Sequence, residues 1–406
     1  MMQPDERFFS FIKEHAEDNT SALLLSASKF EGIDVRLAAS TIEGRRKMAL
    51  KVPEWGERFD LIYPSSVNVE QCSSSYTAEL KQRYFRNSNV FDLTGGLGVD
   101  SYYISKVARS VKMFEQNSVL CAAVKSNFSR LGADNIELFC KRVEKIEDIE
   151  GFSSGTDYSV YIDPSRRSES GGRIFAIRDY DPDVVAMKDS LFKHASRVVV
   201  KVSPMADITS LARVLPECSE IAIISVFNEC KELLLILDRE RAENPLKTAE
   251  IPVTAWNLRR SGKIWESFCW TMREESEFSA EFGEPESGMY LYEPNSSILK
   301  GGAYKTAGVR FGLTKAETSS HLYFGRESVS AFPGRVFRII DICDFGKTGI
   351  KHISKTYPKA NVSVRNFPLS SKELLERLKI EEGGETYIFG TLLPHNLRKL
   401  IVCKKD

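Results

Sequence analysis

Eleven consecutive residues, Val90-Phe91-Asp92-Leu93-Thr94-Gly95-Gly96-Leu97-Gly98-Val99-Asp100, carry the densest chemistry in the chain. An apolar strand ends in an acid, turns through glycines and opens a helix. Glycines let the backbone turn sharply there and approach a ligand closely. Seventeen residues beyond Gly98, a second apolar run ends at Glu115, followed by Gln116. An acid in that place can accept hydrogen bonds from both ribose hydroxyls of an adenosine-bearing ligand, either a dinucleotide or S-adenosylmethionine. The spacing Asp-x-x-x-Gly-x-Gly (92, 96, 98) differs from the dinucleotide pattern Gly-x-Gly-x-x-Gly. Carboxylates at Asp92 and Asp100 would also repel a pyrophosphate, whereas they suit the ammonium of a methionine moiety. The candidate cofactor residues are therefore Asp92, Thr94, Gly95, Gly96, Gly98, Asp100, Glu115 and Gln116, and a methyl donor is favoured over NAD.

A second cluster, Tyr161-Ile162-Asp163-Pro164-Ser165-Arg166-Arg167, stands at the carboxyl end of a later strand. Ligands of open α/β sheets bind at that edge. Asp163 can accept a hydrogen bond from a substrate donor or take its proton, and Pro164 stiffens the loop. Arg166 and Arg167 suit a phosphate, or else pair with local acids on a solvated loop. Lys201 interrupts the apolar run Val198–Val202, so it needs an anion or a route to water. These assign Asp163 and Pro164 to catalysis, and Arg166, Arg167 and Lys201 to substrate binding. Asn228-Glu229-Cys230-Lys231 either edges the cleft or is an ordinary polar turn. Gln71 with Ser73–Ser75 either covers the ligand or caps a helix, and Asn127 either lines adenine or packs.

The elements that must position these residues follow from periodicity. Residues 1–87 read as a helical segment. Residues 88–245 alternate short apolar runs with helical stretches, which means crossover connections and a mostly parallel sheet. Strands are expected at 90–93, 111–115, 136–139, 158–163, 198–202, 221–226 and 233–237. The last two are joined by too few residues for a crossover and should pair antiparallel. This is a Rossmann-like α/β fold with a seven-stranded sheet. Residues 246–330 begin with a strand pair around Ser261-Gly262, followed by an acidic linker over 274–287 and a small strand–helix–strand segment. Residues 331–406 read as a small α+β domain.

Composition bounds the rest. The chain has 406 residues, with 56 Lys and Arg balancing 56 Asp and Glu. The length implies several domains. No apolar run is long enough to span a bilayer, and the first residues do not resemble a signal segment. Eight cysteines without a CxxC pair and five scattered histidines indicate neither a disulfide framework nor a metal site. The pattern reads as a reduced, cytoplasmic protein. Zero net charge conceals an asymmetry, because residues 301–406 contain 18 Lys and Arg against 10 Asp and Glu. Either that basic C-terminal module docks an anionic polymer, or it is a moderately basic solvated surface.

On these residues the chain resembles class I S-adenosylmethionine-dependent methyltransferases. It resembles most closely the bacterial family that joins such a domain to a ferredoxin-like segment and a C-terminal THUMP-like domain. Asn228–Glu232, Tyr292–Asn295, Phe332–Arg335 and Val364–Pro368 also match, so the likeness runs along most of the chain. The resemblance implies S-adenosylmethionine contacts at Asp92, Gly96, Gly98 and Glu115, and an RNA substrate. Asp163-Pro164-Ser165-Arg166 lacks the second proline and the aromatic of adenine and guanine amino-methyltransferases. Asp-Pro-x-Arg is similar instead to uridine C5-methyltransferases, yet their cysteine at the end of the fifth strand is replaced by Ser203, with Cys230 one strand further on. Three readings stand: an RNA methyltransferase, a small-molecule methyltransferase, and a non-catalytic RNA-binding adaptor with a vestigial cofactor site.

Overall fold

Strands buried on both faces of a parallel sheet read as near-continuous apolar runs, and the runs of residues 88–245 form such a sheet. The computed structural model describes residues 5–145, 148–149, 158–166, 180–260, 263 and 265–405. Two compact units divide the chain. The first comprises Met1–Ile221 and Lys231–Leu246, the second Ala222–Cys230 and Lys247–Asp406.

The strands of the first sheet are β1 (Asn89–Asp92), β2 (Ser110–Glu115), β3 (Ile136–Cys140), β4 (Tyr158–Ile162), β5 (Ala195–Val202), β6 (Cys218–Val226) and β7 (Glu229–Asp238). They are ordered 6-7-5-4-1-2-3. The pairs β1–β2, β1–β4, β2–β3 and β4–β5 are parallel, and β7 lies antiparallel to β5. The antiparallel final strand expected from the short 227–232 connection is present. The register aligns Asp92 with Met113 and with Tyr161, and Ile162 with Val200. Glu115, Asp163 and Lys201 therefore sit at the same carboxyl edge as the glycine turn.

Helices Glu6–Glu14, Thr20–Leu25, Val35–Lys51, Ser66–Gln71 and Ser75–Lys81 make up most of the N-terminal segment. Each begins with a side-chain cap, from Asp5, Asn19, Asp34, Ser65 and Ser74 in turn. The segment does not stand apart. Trp55, Tyr63, Val69 and Ala78 share one buried core with Leu97, Val99, Met113 and Phe128 around the glycine turn. Asn127 fastens the two regions: its amide donates to Ile62 O (2.9 Å) and accepts from Ile62 N (2.8 Å). Asn127 thus serves packing.

In the second unit β8 (Pro252–Leu258) and β9 (Trp265–Thr271) form an antiparallel hairpin. Its Ser261-Gly262 turn lies outside the described residues. The hairpin continues beyond β6, so the first sheet counts nine strands rather than the seven expected. The expected linker over 274–287 begins as a helix, Met272–Glu277, closed by a reciprocal cap between Thr271 and Glu274. Its acids are structural: the Glu275 carboxylate accepts from Lys305 N, Thr306 N and the Thr306 hydroxyl.

A second sheet is built from β10 (Tyr290–Pro294), β11 (Thr314–Lys315), β12 (Tyr323–Gly325), β13 (Gly334–Asp344), β14 (Lys359–Arg365), β15 (Glu381–Leu393) and β16 (Leu397–Lys405), ordered 11-12-10-13-16-15-14. Helices Lys347–Thr356 and Ser371–Leu378 bury Ile353, Leu374 and Leu378 in one cluster with Ile388, Leu400 and Val402 of this sheet.

Three of the motifs singled out in the sequence meet here at one buried acid. Glu293 on β10 is fully buried and pairs with both Arg335 and Arg365, the latter at 2.6 Å. Gly334 makes room for this, since a Cβ there would meet Glu293 O at 2.2 Å. Replacing Glu293 with Ala should cost about 2–3 kcal/mol. That is less than for a fully buried pair, because both arginines are about one-third exposed and can reach water. Urea unfolding of the variant against the parent measures the cost.

Candidate active site

The turn after β1 lines a cavity of about 340 Å³. All eight candidate cofactor residues line it: Asp92, Thr94, Gly95, Gly96, Gly98, Asp100, Glu115 and Gln116. Gly96 has φ +57°, and a Cβ on it would meet nothing closer than 3.9 Å, so the backbone itself borders open space. Gly98 has φ +77° and caps helix Val99–Ser105; a Cβ there would strike the Phe128 ring at 2.4 Å. One glycine keeps the cavity clear and the other lets the helix pack.

Glu115 is anchored by two backbone donors, Gly96 N (2.9 Å) and Asn117 N (2.7 Å). An ionised carboxylate retains acceptor capacity after two such bonds. Asp92 is buried and accepts from Thr94 N (3.0 Å) and the Ser101 hydroxyl (2.6 Å). Burial outweighs both bonds and lifts its carboxyl to about 7.

Asp100 behaves differently from the flanking acid expected to be available to an ammonium. Its carboxylate already pairs with Lys81 (2.8 Å) and accepts from Ser73 Oγ (2.7 Å) and Tyr161 OH (2.8 Å). Burial opposes its ionisation, but the ammonium groups of Lys81 and Lys201 hold it at about 2. Lys81 has no exposed surface and also pairs with Glu232 on β7 (3.0 Å). Ser73 donates to Asp100 and receives from Lys81 (2.8 Å) and Lys201 (3.3 Å). Ser74 is the helix cap. Of the roles weighed for the serines, capping belongs to Ser74, while Ser73 lines the cavity and joins the buried charge cluster.

Lys201 reaches Asp163 Oδ2 at 2.7 Å and lies 4.0 Å from Glu232. Burial would lower its pKa, but Asp163, Glu232 and Asp100 together raise it above the ordinary lysine value, so it stays charged. Asp163 N donates to Thr94 Oγ1 (2.6 Å), which ties the loop after β4 to the glycine turn. A smaller cavity, about 200 Å³, is lined by Asp163, Pro164, Tyr180, Lys201, Ser203 and Lys231, among others. Asp163 lines both cavities. Cys230 lines neither.

Arg166 is described only as a backbone partner of Tyr180, and Arg167 lies outside the described residues. Lys81, Tyr161 as a hydroxyl donor, Glu232 and Ser101 were missed from sequence. The acid Glu232 within a matched motif was the one available signal; a lysine closing a helix looks solvated. In the second unit Asp341, Cys343 and His352 bring three donor atoms within 4.8 Å of one another, a grouping that linear spacing does not reveal. Among the described residues no helix is long and apolar enough to cross a membrane.

A family model described as a ferredoxin-like domain matches residues 290–333, and one described as THUMP domain-like matches 334–405. No curated protein matches. Among solved structures, a candidate methyltransferase from Porphyromonas gingivalis W83 is 31% identical, with 100% of each chain covered and a TM-score of 0.88. SMU.1697c, a candidate methyltransferase of Streptococcus mutans in complex with SAH, is 12% identical over 39% of this chain and 96% of its own, TM-score 0.28. An rRNA methylase from Streptococcus thermophilus is 13% identical over 40% and 93%, TM-score 0.29.

Two outcomes test the electrostatics. Folded Asp92 keeps its proton up to about pH 7, whereas an unfolded aspartate loses it near pH 4. The folded state binds more protons across that window, so this group's contribution to stability falls as pH rises through it. Asp92→Asn should therefore flatten the decline of the urea midpoint between about pH 5 and pH 8; an unchanged slope would refute the raised value. Lys81→Met should cost about 3–5 kcal/mol in the same unfolding measurement, because Asp100 and Glu232 lose their buried partner.

Proposed function

We propose, for a chain that belongs to the bacterial family joining a class I methyltransferase domain to ferredoxin-like and THUMP-like domains, that it transfers a methyl group from S-adenosylmethionine to RNA. The observation that carries this reading is the place of Asp163, on the wall shared by the larger cavity and the smaller one.

The larger cavity fits the cofactor by its donor set. Gly96 offers bare backbone beside open space, Glu115 offers an oriented carboxylate for ribose hydroxyls, and Asp92 offers a buried acid beside the turn. Since Asp100 is engaged by Lys81, Asp92 is the better partner for an ammonium, whose arrival would draw the proton off its carboxyl. The sulfonium of S-adenosylmethionine supplies an already activated methyl group. What remains for the protein is alignment of a nucleophile and removal of one proton.

Asp163 accepts the hydrogen bond of the acceptor N–H or O–H and turns its lone pair toward the larger cavity. Lys201 fixes the orientation of that carboxylate, and Thr94 fixes the loop. Ser203 and Lys231 line the acceptor side, where an ammonium suits a phosphate or a polar base edge. The excess of basic residues over 301–406 supports a polyanionic substrate.

Incubation with tritiated S-adenosylmethionine and total RNA from a strain lacking the gene should label RNA, while wild-type RNA takes up little. No label, together with no cofactor binding by calorimetry, would refute the reading. Asp163→Ala should lower transfer by about 10²–10⁴-fold and leave cofactor affinity near that of the parent.

A further inference from the structure

The second unit contains a cleft of its own, about 640 Å³, that the proposed reaction does not use. Its lining includes four cations, Arg259, Arg260, Arg335 and Lys405, against a single acid, Glu266. Two of the cations are held in place by carboxylates. Arg335 is held by the buried carboxylate of Glu293, and Arg259 pairs with Glu266, which also accepts from Asn295 Nδ2 at 3.1 Å. Arg260 and Lys405 are exposed and make no ion pair with a described residue. Cations held at fixed positions around a concavity suit the phosphates of a polyanion.

Aromatic chemistry borders the same cleft. The β6–β7 turn consists of Phe227 and Asn228, with φ +54° and +68°, the left-handed pair of a two-residue hairpin. That geometry favours Asn and Gly, and a bulky residue there is held against a steric cost. The turn is nonetheless tied down: Phe227 N donates to Leu258 O (2.9 Å) and Asn228 N to Asn257 Oδ1 (3.1 Å). The Arg260 guanidinium lies 5.3 Å from the centre of the Phe227 ring. An arginine over an aromatic ring makes a flat, cationic surface on which an unpaired base stacks.

We infer that this cleft docks a single-stranded segment of RNA, with phosphates on Arg260, Arg259 and Lys405 and one base on the Phe227–Arg260 surface. A duplex keeps its base faces stacked and would leave that surface unused. The inference rests on the RNA reading above. It places the contact largely on residues preceding the ferredoxin-like and THUMP-like stretches, not on the basic helices of the C-terminal module.

Fluorescence anisotropy of the full chain with a labelled single-stranded RNA oligonucleotide tests it. Arg260→Ala with Lys405→Ala should weaken binding about tenfold at low salt and reduce the log–log salt slope by about one, with an unchanged melting temperature. Phe227→Asn suits the left-handed turn, so it should raise the melting temperature and yet weaken RNA binding. A purely structural Phe227 would not show that opposition. Variants binding with the parent's affinity and salt slope would overturn the site and leave the RNA reading standing. A parent chain that binds no RNA at low salt would overturn both.

Discussion

A lysine with no exposed surface organises the first unit. Lys81 must be paired to exist there, and its partners come from distant parts of the chain: Asp100 after the glycine turn, Glu232 on the antiparallel strand, and Ser73 before its own helix. Tyr161, whose hydroxyl burial and nearby acids push well above its ordinary pKa, donates to the same Asp100. Each group satisfies another, which is the condition under which a buried polar network is tolerable. The cluster fixes where the helical segment, the glycine turn and three strands meet.

The proposed chemistry is an extension of that cluster toward solvent. Lys201 joins it through Ser73 and Glu232, and carries the connection outward to the half-buried Asp163. A carboxylate held by a charged lysine and a loop tied to Thr94 has few alternative orientations, and a transfer that depends on alignment needs that restriction. On the cofactor side the same economy appears. Glu115 is held by two backbone amides, whereas Asp92 sits buried with its pKa raised by that burial. The two acids that flank the glycines therefore differ in what they touch: Asp100 is engaged by Lys81, Ser73 and Tyr161, whereas Asp92 is the one that the proposed reading gives to the cofactor.

The second unit repeats the principle with the charges inverted. There one buried acid, Glu293, serves two arginines, and the backbone approaches so closely at Gly334 that no side chain fits. Three motifs spread from residue 292 to residue 368 meet at this point, since Glu293, Arg335 and Arg365 each belong to one of them. Arg335 then lies with one side on Glu293 and lines the cleft as well, so the same contact serves stability and the inferred RNA surface.

Much of this was legible without coordinates. The alternation of apolar runs, the glycine spacing and the short 227–232 connection determined the parallel sheet, its antiparallel final strand and the carboxyl edge that gathers the candidate residues, because those depend on local periodicity and chain reach. Glu115 and Asp163 were readable for the same reason, each closing an apolar run at the carboxyl edge. The helix at 272–277 was missed although Thr271 and Glu274 carry a capping signature, because its acidic composition resembles a loop. Only the tertiary structure decided that Asp100 is neutralised, that Lys81 is buried, and that Glu293 binds two arginines. Charge pairing depends on which residues meet across scores of positions, and a one-dimensional pattern contains no record of that distance.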